Sequence, residues 1–360
     1  MLNLSNCSFE WKAVKHIAAA LGDMPRLTDL ILADNPALGR SAKLWSRYLR
    51  QMHHIETLNL SSCSFQMTTF EHVASVLSDM PGLTGLILAD NKELGRSSNS
   101  WLRFLKQMRH MQTLNLSSCS LQWTDVEHIA SSVADLTGLT DLILVDNTAL
   151  GGSAEKWSGY LPQMTHIQTL NLGYCSLEGV DVHHIASSTG TMPELTNLIH
   201  GGNIALGGSA RSWSHHILEM RYIQTLNLSN CLLQVEDIEH IALNTGNNPR
   251  LANLILSGNS ALGGTADLWS HSLSQMRHIK LLNLTNCSLQ CTDVEHIASS
   301  AGSMLRLTDL ILAGNTALGG SALTWSRYLP RMTQVKTLDV SYCSLQSKDI
   351  THIASSVGDM

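Results

Sequence analysis

Charge is scarce in this sequence. Asp, Glu, Lys and Arg make up 14% of 360 residues, against about 25% in an average soluble domain. The net charge of −6 comes without a basic block. Nucleic acid is therefore not an expected partner, since phosphates must be met by clustered Lys and Arg. Apolar runs are short, none reaching the roughly 18 residues that a membrane-spanning helix needs. The N-terminus has no charged stretch followed by an apolar one, so no secretion signal is read. The phosphate-binding pattern G-x-x-x-x-G-K-[ST], the nucleophile elbow G-x-S-x-G and the zinc-protease pattern H-E-x-x-H are all missing. Without them no enzyme activity, cofactor or metal is expected.

What the sequence has is a strict internal period. Leu58-Asn59-Leu60-Ser61-Ser62-Cys63 and Leu86-Ile87-Leu88-Ala89-Asp90-Asn91 alternate, 28 residues apart, and each returns every 56 residues. The Leu-x-Leu slot begins at 2, 30, 58 and onward to 338, thirteen copies in all, with His200 and Val340 in place of the second leucine in two of them. A period of this length signals a stacked array, here a single elongated domain over residues 1–360. No polar capping repeat is visible at either end, although arrays normally cover their last apolar face. The expectation is a segment of a longer protein, or ends covered by a partner or by end-to-end self-association.

Within each copy the chemistry is short and repetitive. Leu58 and Leu60 alternate with Asn59 as in a strand with its leucines inward. After the Cys-bearing strand, Thr124 and Glu127 read as a capping box that opens a helix, with Val126, Ile129, Ala130 and Val133 on its apolar face. After the Asn-bearing strand, Gly151-Gly152 turn the chain, glycine tolerating positive φ. The next helix then points Trp157, Leu161 and Met164 inward.

Seven cysteines share one slot of the repeat, among them Cys63, Cys119, Cys175, Cys231 and Cys287; Cys291 alone lies outside it. Slot-mates are two strands apart, roughly 10 Å at about 4.8 Å per strand, too far for a disulfide. Buried thiols fit a reducing compartment. Sequons within strands, such as Asn59-Leu60-Ser61, also favour the cytoplasm.

The spacings L-x-x-L-x-L-x-x-C-x-L and L-x-x-L-x-L-x-x-N-x-x-L resemble the leucine-rich repeat. A length of 28 with alternating Cys and Asn resembles the ribonuclease-inhibitor type. The resemblance covers the whole chain. It implies an α/β leucine-rich-repeat solenoid, a horseshoe with a parallel concave sheet of about 13 strands and convex helices. The curvature follows because strands stack near 4.8 Å while helices need about 8–10 Å. It also implies that Asn35, Asn91, Asn147, Asn203, Asn259 and Asn315 bond the backbone of the neighbouring turn.

Repeat-locked residues are packing residues first. The tryptophan row from Trp45 to Trp325 shares its helix with inward Leu and Met and reads as core. The histidine ladder from His16 to His352 has neighbours roughly 20 Å apart at the spacing of packed helices, too far for a shared metal. His183-His184 and His215-His216 are sequence neighbours that point about 100° apart on a helix, and so are poor chelators. The Gly-Gly-Ser turns resemble phosphate loops, but the turn itself accounts for them.

Function is then sought on the concave face. Ile87, Ile143 and Ile199 lie at outward strand positions beside an Asn column. Asp34, Asp90 and Asp146 follow the early strands, where later copies carry Gly202, Gly258 and Gly314. Tyr174 and Tyr342 replace Ser, and Lys280 replaces the usual Gln or Glu. These residues are the candidate protein-binding set. His200 fills an inward slot held elsewhere by leucine, a soft spot that needs a partner. The array also resembles the leucine-rich-repeat region of NOD-like receptors, which implies a non-catalytic protein-recognition module of an innate immune receptor. The alternatives are a stand-alone inhibitor of the ribonuclease-inhibitor kind or a GTPase-activating leucine-rich-repeat regulator.

Overall fold

A computed structural model describes residues 1–8, 10–95 and 99–357. They form two compact units, Met1–Ser176 with Met192–Leu195, and Leu177–Thr191 with Thr196–Met360.

The first unit holds the strands Leu2–Asn3, Asp29–Ile31, Thr57–Asn59, Gly85–Ile87, Thr113–Asn115, Asp141–Ile143 and Thr169–Asn171. The second holds Asn197–Ile199, Thr225–Asn227, Asn253–Ile255, Leu281–Asn283, Asp309–Ile311 and Thr337–Asp339. All thirteen described strands follow chain order. Pairing is parallel and in step with the 28-residue period: Leu58 faces Leu86, and Leu86 faces Leu114. The alternation read from the sequence is thus the observed geometry. Leu58 and Leu60 are buried, while Thr57 and Asn59 are half-exposed.

Each Cys-half turn is followed by an α-helix of 11 or 12 residues, such as Trp123–Val133 or Val235–Gly246. Its cap differs from the sequence expectation. The N-cap of Trp123–Val133 is Gln122, and Asp125, not Glu127, closes the capping box, its Oδ2 accepting from the Gln122 N–H at 2.6 Å. Gln290 and Asp293 cap the helix Cys291–Ala301 in the same way. The cause is a second task for the aspartate. In the second unit Asp237 also accepts from Gly208 N at 2.7 Å and Ala210 N at 2.9 Å, in the preceding Asn-half turn. A helix start is thereby bonded to its neighbour, which only a buried, short carboxylate reaches.

The Asn-half helix is shorter than expected. Ala154–Trp157 is one α turn, and Ser158–Gln163 continues as 3₁₀-helix. Its inward residues are as read: Trp157, Leu161 and Met164 are buried, and Trp157 Nε1 donates to Leu150 O at 3.0 Å. The paired glycines have separate duties. Gly264 holds φ +71°, whereas a Cβ on Gly263 would lie 2.0 Å from Ser288 O.

Candidate functional site

The frame that presents the surface is an Asn–Cys ladder. Asn91 is fully buried. Its Nδ2 donates to Leu60 O at 3.0 Å and Leu88 O at 2.8 Å, and its Oδ1 accepts from the N–H groups of Cys63 and Phe65. Asn35, Asn147 and Asn259 also span two turns, donating across to Leu4 O, Leu116 O and Leu228 O. Asn315 does so to Leu284 O, and Asn203 Oδ1 accepts from Leu177 N. The thiols complete the ladder. Cys63, Cys119, Cys175 and Cys287 donate to Leu32 O, Leu88 O, Leu144 O and Leu256 O at 3.2–3.3 Å. Cys231 donates to His200 O at 3.4 Å. Burial pushes these five thiols up to about 12, so they stay protonated donors and inert to oxidation. All eight cysteines are free; Cys7, expected to be buried, is exposed.

On the outward sheet face of the first unit, Ile87 pairs with Asn59 and Asn115, and Ile143 with Asn115 and Asn171. In the second unit Ile199 pairs with Asn227. All three isoleucines are half-exposed. The Asn column is less available than the sequence suggests. Asn59 Oδ1 already accepts from Ser61 N at 2.9 Å and Ser61 Oγ at 2.7 Å, and Asn227 does the same with Ser229.

A row of left-handed residues runs, in each unit, along the edge formed by the C-terminal ends of the strands. In the first unit it includes Asp34, Ser62, Asp90, Ser118, Asp146 and Tyr174, at φ of 51–58°. Backbone bonds step between adjacent turns, as from Asp90 N to Ser117 O and from Asp146 N to Gly173 O. In the second unit the row runs Gly202, Asn230, Gly258, Asn286, Gly314 and Tyr342. The change from Asp to Gly is part of a paired swap. Ser118 Oγ donates to Asp146 Oδ2 at 2.9 Å. A Cβ on Gly258, by contrast, would lie 1.9 Å from Asn230 Oδ1. Ser62 and Ser118 accompany Asp90 and Asp146, whereas Asn230 and Asn286 accompany Gly258 and Gly314, which gives an acidic row and an amide-lined one.

Tyrosine departs from this turn chemistry, as does Leu232, two residues past the row, at φ 53° and 50% exposed. Asn, Asp, Ser and Gly tolerate positive φ, but a bulky side chain there is an outlier. Tyr174 and Tyr342 hold φ of 54° and 55° with 51% and 89% of their surfaces exposed. Lys280 is also exposed, but it precedes its strand and so lies at the opposite sheet edge from Tyr342.

The remaining candidates have structural fates. All six repeat tryptophans are at most 1% exposed. The ladder histidines His72 and His128 are exposed or half-exposed. Gly208 N, the amide that a phosphate would use, is taken by Asp237. His200 is 1% exposed and its Nε2 has no partner. Burial drives its pKa down to about 4, opposed by the charge of Asp181. One cluster escapes the sequence reading. His183 and His216, 33 residues apart, meet with their Nδ1 atoms 3.3 Å apart, and His216 Nδ1 lies 2.9 Å from Glu219 Oε1. Desolvation, then the charges of His216 and His184, hold His183 below the usual histidine value. Among the described residues no three ligating side chains form a preassembled metal group, and no helix is long and apolar enough to cross a membrane.

No family model matches the chain. It is 28% identical to pig (Sus scrofa) ribonuclease inhibitor over 322 residues, 86% of this chain and 69% of that protein. It is 25% identical to human NACHT, LRR and PYD domains-containing protein 12 over 323 residues, 86% of this chain and 30% of that protein. The chain thus spans less than a third of the larger relative. The leucine-rich-repeat protein LegL7 of Legionella pneumophila superposes with a TM-score of 0.57 at 14% identity, covering 87% of this chain and 93% of that one. Together with the repeat period, the parallel strands in step and the alternating Asn and Cys slots, this gives the chain a leucine-rich-repeat fold similar to that of the ribonuclease-inhibitor type.

Proposed function

We propose that the outward sheet face and its left-handed edge row bind a protein ligand, and that the chain is the sensing or regulatory leucine-rich-repeat part of a cytoplasmic NOD-like receptor. The observation that carries this reading is the pair of exposed tyrosines in a conformation that bulky residues avoid. An outlier of this kind persists where something other than local stability retains it, and exposed tyrosine is a frequent anchor at protein interfaces. Half-exposed Ile87 and Ile143 supply apolar area beside Tyr174 and the acidic row of Asp34, Asp90 and Asp146.

The relationship to ribonuclease inhibitor carries a second reading, a stand-alone inhibitor of a ribonuclease. One experiment separates the two. Binding of a purified ribonuclease and capture of partners from cell extract are measured for the native chain, Tyr174→Ala and Ile143→Asp. The receptor reading expects a captured protein lost on both substitutions and no tight ribonuclease complex. A nanomolar ribonuclease complex supports the inhibitor. Capture that neither substitution alters removes this face from consideration.

A further inference from the structure

We infer that His183, His216 and Glu219 form a binding site for a late first-row divalent cation of the Zn²⁺ class. The site lies on the helical side of the second unit, between helix Gly179–Thr189 and the 3₁₀ segment Ser214–Leu218 with the residue that follows it. It is independent of the proposed protein-binding face.

The array supplies its own control, because each slot can be compared across copies. The His183 slot holds Glu71, Glu127, Glu239 and Glu295 in the other internal copies. There the carboxylate serves a neighbouring turn: Glu71 pairs with Arg103, Glu127 bonds Tyr160, and Glu239 lies 3.8 Å from His271. The His216 slot holds Tyr48, Phe104, Tyr160, Ser272 and Tyr328. The Glu219 slot holds Gln51, Gln107, Gln163, Gln275 and Arg331. Three slots depart from the pattern in the same copy: two gain a metal-ligating side chain, the third exchanges a carboxylate for an imidazole, and His216 Nδ1 meets both of the others. The neighbouring slot carries no fixed cation in this copy: His215 stands where Arg47, Arg103 and Arg327 stand in three copies and Gly159 and His271 in two.

The geometry suits the ion. Two ligands at the Zn–N distance of about 2.0–2.1 Å, set at a tetrahedral angle, are about 3.3 Å apart. The His183 and His216 Nδ1 atoms are 3.3 Å apart. Glu219 Oε1, 2.9 Å from the same His216 nitrogen, supplies an anionic oxygen. Imidazole and carboxylate together are ligands that Zn²⁺ accepts. The arrangement is a two-nitrogen bite with a carboxylate on its rim. Glu219 has a 43% exposed side chain and can swing inward. The rings, with centroids 4.2 Å apart, open to about 5 Å when both lone pairs aim at one ion. His216 Nδ1 faces both Glu219 and His183, and the tautomer decides which of them it bonds. The ion takes the tautomer whose proton is on Nε2, which leaves the Nδ1 lone pair to coordinate. The groove lined by Gly179, Val180, Ser212 and His215 leaves room for water to complete the shell.

The test uses the full chain with Cys7→Ser and Cys291→Ser, which removes the two accessible thiols. Zn²⁺ titration by calorimetry is expected to show one ion per chain. His216→Tyr restores the residue that three other copies carry, so folding is retained, and it weakens binding tenfold or more, as does His183→Gln. Glu219→Gln weakens it about threefold. His240→Gln and His271→Gln in the next copy change nothing. Cu²⁺ paramagnetic resonance shows two coordinated nitrogens in the parent and one in His216→Tyr. No stoichiometric uptake, or uptake and resonance unchanged by His183→Gln and His216→Tyr, overturns the assignment.

Discussion

His200 shows what one residue out of pattern does to a repeat. Its slot is filled elsewhere by Leu32, Leu88, Leu144, Leu256 and Leu312, all buried. Its backbone keeps the ladder, accepting from Asn203 Nδ2 at 2.6 Å and Cys231 Sγ at 3.4 Å, while its Nε2 is stranded. An unpaired buried nitrogen costs about 1–3 kcal/mol. His200→Leu is therefore expected to stabilise the chain by that order at neutral pH, measured by urea unfolding. The effect should grow in acid. With the folded pKa near 4 against about 6.5 unfolded, the unfolded chain binds the extra proton first. Native stability then falls by about 3 kcal/mol from pH 6.5 to 4, and His200→Leu lacks that component. Asn147 is the opposite case. Asn147→Ala strands Leu116 O, Leu144 O and the Cys119 and Leu121 amides, so a loss of about 3 kcal/mol or more is expected in the same measurement.

Among elements, the strands and the identity of the inward faces were legible in the sequence because period two and the 28-residue repeat are one-dimensional signals. Helix starts were legible only to within two residues. Thr124 and Glu127 satisfy the local capping pattern, but Asp125 wins because it is buried and matches a need outside its own helix. Asp237 shows that need directly, with three amides on one carboxylate. Asp237→Ala should thus destabilise two neighbouring turns at once. The expected fall, about 2 kcal/mol or more for a lost cap with the buried Ala210 amide and the part-buried Gly208 amide left unpaired, is read by thermal or urea unfolding. Glu239→Gln, on the same helix but at its surface, should leave stability within about 0.5 kcal/mol. The candidate surface was legible in part. The Ile and Asn columns alternate as read, but the Asn oxygens proved to be turned on their own strands' ends. Pairings such as Ser118 with Asp146, or His183 with His216, needed the third dimension, although comparing copies slot by slot already marks the copy in which they change.

For the whole molecule, stability should behave as a sum over turns and their neighbours, since each turn bonds mainly to the next. The buried thiols make this measurable without added probes. Cys63, Cys119, Cys175, Cys231 and Cys287 are buried and held as thiols, while Cys7 is exposed and Cys291 half-exposed. A disulfide-exchange reagent is expected to label Cys7 and Cys291 at once and the five ladder cysteines only through opening of their own turns. Asn91→Ala removes the bonds to Leu60 O, Leu88 O and the Cys63 amide. Peptide mapping of labelled chains should then show Cys63 accelerated most and Cys119 less, with Cys287, far along the sequence, unchanged. Uniform acceleration of all five would mean that the chain opens as one cooperative body, and the nearest-neighbour description would fail.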